Sequence, residues 1–210
     1  MITHVLWDWN GTLLDDAALG LSCMNEMLER RGLPTLCDIE AYRGVFCFPV
    51  EKYYESVGLP PEDFDQTARE WVALYYSRDH LCPLREGVLD ALAALKARGV
   101  TQSICSAQER TLLRRQVDAR GIAPYFDEIL GIDDIYAGSK AYIAKAWLAR
   151  AGVRAEHTLF VGDTLHDFDV SRAIGCRCAL IAGGHQSKAL LEQAGCPVSD
   201  SPLDVLGLMD

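Results

Sequence analysis

The sequence predicts an α/β fold: a parallel sheet covered by helices on both faces, with an all-helical insertion after the first strand. Three observations carry this. A short apolar run, His4 to Trp7, has the look of a buried strand and ends on a carboxylate, Asp8. No strand signal follows between Asp15 and Arg78, where apolar residues recur at helical steps. From Cys82 onward, short apolar runs alternate with helix-length segments, as in a parallel sheet with crossover helices. The division expected is a core made of residues 1–14 and 81–210 and a helical cap made of residues 15–80.

Taken in order, Leu19, Met24, Met27, Leu28 and Leu33 mark the first cap helix, which Gly32 and Pro34 break. A second helix covers residues 38–45. Phe46-Cys47-Phe48-Pro49 interrupts it, and a short helix over Val50–Val57 ends at Gly58. Pro60-Pro61-Glu62-Asp63 opens a further helix through Trp71, Leu74 and Tyr75. In the core, Pro83 and Gly87 introduce a helix over Val88–Arg98 that Gly99 stops. Val100–Cys105 reads as a buried strand ending on Ser106, Glu109–Arg120 as a helix and Phe126–Leu130 as a short strand. A helix over Tyr142–Arg150, a strand over Thr158–Val161 closing on Gly162-Asp163, and a helix over Phe168–Ile174 follow. A strand over Cys178–Ile181 and a helix over Ser187–Gln193 complete the pattern.

With 210 residues, half of them hydrophobic, the chain can bury a sizeable core. Its net charge of −10 argues against nucleic acid, which is held by an excess of Lys and Arg. It leaves room for a small phosphate ester, which needs only local positive charge. No apolar run is long enough to span a bilayer, and no signal peptide is recognisable. The eight cysteines show no CxxC spacing and read as reduced thiols. A cytoplasmic protein is expected, as a monomer or homodimer acting on a small phosphorylated molecule.

The chemistry is expected at strand ends. Parallel strands place their C-terminal ends on one edge of the sheet, so Asp8, Ser106 and Asp163 can converge in one crevice. After Asp8, Gly11 allows a sharp turn in which the backbone amides of Trp9, Asn10, Gly11 and Thr12 can cradle an anion. A carboxylate beside an anion needs a cation between them, which implies Mg2+. Asp8 is the candidate nucleophile. Ser106, with Ala107 beside it, is the candidate hydroxyl donor to a phosphoryl oxygen. Asp163 is the candidate metal ligand, with Asp167 one helical turn further on. Lys140, after Gly138-Ser139 at a helix start, is placed to neutralise both nucleophile and phosphoryl group. Arg43, before Gly44 in the cap, is either a clamp for a substrate carboxylate or a surface arginine. Tyr53, Tyr54, Trp71, Tyr75 and Tyr76 read as cap core, and Asp15 and Asp16 as the acidic start of the first cap helix.

These motifs resemble the haloacid dehalogenase (HAD) superfamily, over nearly the whole chain. The matching residues are Asp8 with Gly11-Thr12, Ser106, Lys140, and Gly162-Asp163-Thr164 with Asp167. The cap position and the segment Phe46 to Val50 look closest to its phosphoglycolate phosphatase-like branch. The resemblance implies a Rossmann-like three-layer core, Mg2+ dependence and an aspartyl-phosphate intermediate. It also implies metal binding by Asp8, Asp163, Asp167 and the backbone carbonyl of Asn10.

One position departs from the pattern. The family phosphatases carry Asp, the general acid and base, where this chain has Asn10; the dehalogenases carry Tyr there and the phosphonatases Ala. An amide cannot exchange a proton usefully near neutral pH. Three readings stay open. Proton transfer comes from His166, or from His185; or the enzyme is limited to esters with good leaving groups; or the chain binds a phosphorylated ligand without turnover. A phosphonatase would need a cap lysine, and only Lys52 is present. Asn10→Asp is expected to raise turnover of esters with poor leaving groups. The two links between cap and core, near Asp15–Ala17 and Asp79–Cys82, would permit a hinge.

Overall fold

The computed structural model describes residues 1–136 and 140–210; Gly138 and Ser139, ahead of Lys140, lie outside the described residues. Six parallel strands form one sheet: β1 His4–Trp7, β2 Thr101–Glu109, β3 Glu128–Ile132, β4 Thr158–Gly162, β5 Arg177–Ile181 and β6 Val198–Ser199. Their order, β3-β2-β1-β4-β5-β6, puts β1 in the middle. Trp7 is in register with Ile104 on one side and Val161 on the other, so the residues that follow these positions reach the same edge.

Alternation along β1 divides the core into two layers. Val5 and Trp7 pack with Leu92 and Leu95 of α5 (Val88–Ala97) and with Leu113 and Val117 of α6 (Arg110–Ala119), numbered after the four helices between β1 and β2 given below. Leu6 faces the other way, towards Trp147 of α7 (Ala141–Ala151) and Val170 of α8 (Leu165–Ile174). This is the helix–sheet–helix arrangement of a doubly wound fold. Between β1 and β2, α1 (Ala17–Arg30), α2 (Ile39–Val45), α3 (Val50–Ser56) and α4 (Phe64–Arg78) gather around Met24, Met27, Leu28, Tyr42, Tyr53 and Tyr54. A short helix, α9 (Lys188–Leu191), follows β5.

Several boundaries differ from the sequence expectation for identifiable reasons. β2 runs beyond Ser106 to Glu109, with a register shift against β3. Gly131 permits that close approach, since a Cβ there would sit 2.6 Å from the Arg110 Cα. α8 begins three residues earlier than expected because Asp167 caps it, accepting from the Thr164 amide at 2.9 Å and the Thr164 hydroxyl at 2.7 Å. The two-residue β6 and the turn over Pro202–Leu208 are too short and irregular to show a period, yet Val205 of that turn joins the core.

Candidate active site

Asp8 follows β1, Asp163 follows β4, and Asp167 lies in the first turn of α8. Carboxylate oxygens of all three lie within 4.8 Å of one another, and all three residues are buried. The Lys140 ammonium, at the start of α7, pairs with Asp8 Oδ1 and Asp167 Oδ1. Burial pushes the Asp8 carboxyl up to about 8; Lys140 opposes this, and the charges of Asp167 and Asp163 add to it. Burial also raises Asp163, against the pull of His185. For Asp167 burial is outweighed: the charge and hydrogen bond of Lys140 hold its carboxyl below the ordinary range. Lys140 itself is raised, because Asp167 and Asp8 overcome its desolvation.

Two of these buried carboxylates, Asp8 and Asp167, share the Lys140 ammonium, Asp163 does not pair with it, and the hard oxygens of all three fit a divalent cation such as Mg2+. Glycines keep the space clear. A Cβ on Gly184 or on Gly11 would fall 2.2 Å from Asp163 Oδ2, and one on Gly162 2.1 Å from the Asp167 Cγ. Gly184 is not among the positive-φ glycines, so its absent side chain matters for room rather than for backbone freedom. Gly184→Ala is therefore expected to displace Asp163 and weaken Mg2+ binding about 10- to 100-fold, measured by titration calorimetry. Unchanged affinity would show that Asp163 is not held where the ion binds.

Asp16 is the functional residue that sequence reasoning missed. Read as a helix start, it makes no capping bond to α1 and is only 1% exposed. Its carboxylate accepts from the Gly11 amide at 2.7 Å, from Asn10 Nδ2 at 2.7 Å and from the Tyr75 hydroxyl. Asn10 Nδ2 also lies 2.9 Å from Tyr75 Oη, so the amide faces two acceptors and its orientation is fixed by them. His185 Nε2 stands 3.3 Å from Asp16 Oδ1, and Nδ1 lies 2.7 Å from the Tyr42 hydroxyl. Burial alone would lower the His185 pKa, but Asp16 raises it to about 9, so the ring is charged at neutral pH. Burial alone would raise the Asp16 carboxyl, but His185, Tyr75 and Asn10 hold it below its ordinary value. The only signal in the sequence is a second carboxylate directly after Asp15; two of its partners, Gly11 and Asn10, are close in the chain, but Tyr75 and His185 lie too far along it to be read.

The other candidates divide between the crevice and its surroundings. Ser106 and Ala107 line the crevice, and the Ser106 hydroxyl accepts from the Gln108 amide at 3.1 Å. Thr12 donates to Asp163 Oδ1 at 2.9 Å and so steadies one carboxylate of the cluster. The Gly11 and Thr12 amides, expected in an anion cradle, bond instead to Asp16 and, at 3.3 Å, to the Trp9 carbonyl. Trp9 turns its side chain into the core, where Nε1 donates to Gln116 at 2.6 Å. Arg43 is engaged by the protein itself: its guanidinium donates to the carbonyls of Gly184 at 2.9 Å and Gly183 at 2.6 Å, and pairs with Glu40. His166 is not part of the crevice lining; its ring stacks on Phe48, and burial with the Lys140 charge lowers its pKa.

The crevice between these groups and the cap has an empty volume of about 970 Å³, open solvent included. Its floor carries Asp8, Asp163, Asp167 and Lys140, and all five aromatics read as cap core reach its walls.

A family model described as haloacid dehalogenase-like hydrolase matches residues 5–181. The chain is 30% identical over 200 residues to the probable phosphatase IndB of Dickeya dadantii, across 90% of this chain and 85% of that protein. It is 26% identical over 216 residues to phosphoglycolate phosphatase 1 of Pseudomonas aeruginosa, across 98% of this chain and 79% of that one. Among solved structures, a haloacid dehalogenase-like hydrolase from Streptococcus pneumoniae superposes with a TM-score of 0.86 at 22% identity, over 100% of this chain and 99% of that one.

Proposed function

Because the chain belongs to the haloacid dehalogenase-like hydrolase family, we propose that it is a phosphatase that hydrolyses a small phosphate monoester through an aspartyl-phosphate. The observation that carries this is the meeting of Asp8, Asp163, Asp167 and Lys140 on the floor of one crevice. The relatives named as phosphatases support the substrate class.

An oxygen of Asp8 attacks phosphorus, and the bond to the alcohol oxygen breaks. Water then attacks the phosphorus of the aspartyl-phosphate, releasing phosphate and restoring the carboxylate. Asp8, Asp163 and Asp167, with the Asn10 carbonyl, would hold Mg2+, which would offset charge on the phosphoryl oxygens. Lys140 contributes a fixed positive charge beside the nucleophile, and Ser106 a hydroxyl. Proton delivery to the alcohol is the weak point. Asn10 has no proton to give, His166 is not part of the lining, and both ring nitrogens of His185 are engaged. This favours esters whose alcohol leaves without help.

Residues 15–80 are taken as the cap over a core of residues 1–14 and 81–210; the separate apolar cluster around Met24, Tyr42 and Tyr53 supports that division. The test is phosphate release from phenyl phosphate and acetyl phosphate with Mg2+. EDTA is expected to abolish release and added Mg2+ to restore it. Release undiminished in EDTA, or none under any condition, would overturn the reading.

A further inference from the structure

Resting on that phosphatase reading, we propose that the substrate is the phosphate monoester of an uncharged aromatic alcohol, whose ring is held by the cap side of the crevice. Every residue that positions 42–76 contribute to the lining is uncharged, and most are aromatic, among them Phe46, Phe48, Tyr53, Trp71 and Tyr76. Such walls favour a flat apolar group through burial and ring contacts.

A leaving group with a second negative charge finds no partner there. The cap's basic residues are committed elsewhere: Arg43 to main-chain carbonyls, Arg31 to Glu70, Arg69 to Asp65, and both Arg30 and Arg78 to Glu26. Lys52 is exposed and is not part of the lining. The cations that do line the crevice, Lys140 and His185, already face Asp8 with Asp167, and Asp16. Glu109 and Asp16 add negative charge to the walls. A carboxylate or second phosphate on the alcohol would be repelled and left unpaired.

A further feature agrees. Asn10 cannot protonate a departing alkoxide, and a phenol, with a pKa of about 10, departs as its anion far more easily than an alkanol.

The experiment separates ring recognition from leaving-group quality. Benzyl phosphate and 2-naphthylmethyl phosphate are compared with phosphoglycolate and glycerol phosphate, all of them alkyl esters, in the presence of Mg2+. The aromatic esters are expected to have a kcat/KM higher by about 10- to 100-fold. Val72→Arg, which sets a cation in the cap wall, is expected to invert the preference towards phosphoglycolate. Binding of benzylphosphonate against phosphonoacetate, by calorimetry, gives a readout that needs no turnover. Phosphoglycolate hydrolysed as well as the benzyl ester, or a preference that Val72→Arg leaves unmoved, would overturn the assignment while leaving the phosphatase reading standing. If phenyl phosphate too is left intact, the phosphatase reading falls instead; where only the alkyl esters are left intact, benzylphosphonate binding no tighter than phosphonoacetate overturns the aromatic preference.

Discussion

Asp8→Asn will reduce phosphate release by at least ~10⁴-fold and leave the metal-free protein as stable as its parent or more so. The two outcomes have one cause. The nucleophilic oxygen is lost, but so is a buried negative charge that the fold tolerates poorly without a metal. Asp8 has its pKa raised to about 8 by burial, with Asp167 and Asp163 close by. A carboxyl raised above its unfolded value contributes stability below that unfolded value, and this contribution disappears as the pH climbs through the folded one. The metal-free parent should therefore lose stability between about pH 4 and pH 8, and the raised His185 extends the fall towards pH 9. In Asp8→Asn the slope between pH 5 and 8 should be shallower, with a gain on the order of 1–3 kcal/mol at pH 7. Lys140 keeps Asp167 as its partner, so no cation is stranded. Urea midpoints in EDTA across this range measure the effect. Substantial turnover by the variant would end the covalent mechanism, and a marked loss of stability would end the charge argument.

The second large effect concerns Asn10, and the structure changes what the sequence suggested. Asn10→Asp alone would set a carboxylate 2.7 Å from that of Asp16 and remove the donor that Asp16 and Tyr75 share. Two carboxylates at that distance cannot both stay ionised. The single variant is expected to lose about 1–3 kcal/mol of stability and gain little activity. Exchanging the pair, Asn10→Asp with Asp16→Asn, restores an amide–carboxylate bond in the reverse direction and puts a proton carrier beside the nucleophile. Turnover of alkyl phosphates should then rise by about 10²- to 10⁴-fold, with a much smaller change for aryl phosphates. A single Asn10→Asp variant that matches the double one would show that Asp16 does not constrain position 10.

How much of this was readable follows from where each residue sits. Asp8 and Asp163 close apolar strands, Asp167 lies one turn beyond, and Lys140 opens a helix; the geometry of parallel sheets brings such positions together. Asp16 could not be read the same way. Besides the nearby Gly11 and Asn10, its partners are Tyr75, 59 residues on, and His185 beyond β5, and nothing in local spacing links these two to it. The two readings open for Arg43, a substrate clamp or a surface arginine, cannot be separated in the sequence for a related reason: which groups its guanidinium reaches depends on how residues 39–45 settle against the stretch after β5, where it bonds the Gly183 and Gly184 carbonyls. The cap aromatics were read as packing, and they both pack and line the crevice, a distinction periodicity cannot draw.

The stretch from Gly183 to Gln186 touches both halves of the molecule. Arg43 holds its carbonyls, Tyr42 its imidazole, and the Phe46 carbonyl the Gln186 amide at 3.0 Å, while the His185 main-chain N–H grips Asp163 at 2.6 Å. One four-residue stretch thus joins the helices between β1 and β2 to a carboxylate at the bottom of the crevice. On the proposed reading, a tight mouth and a tight ion socket would come as one mechanical unit.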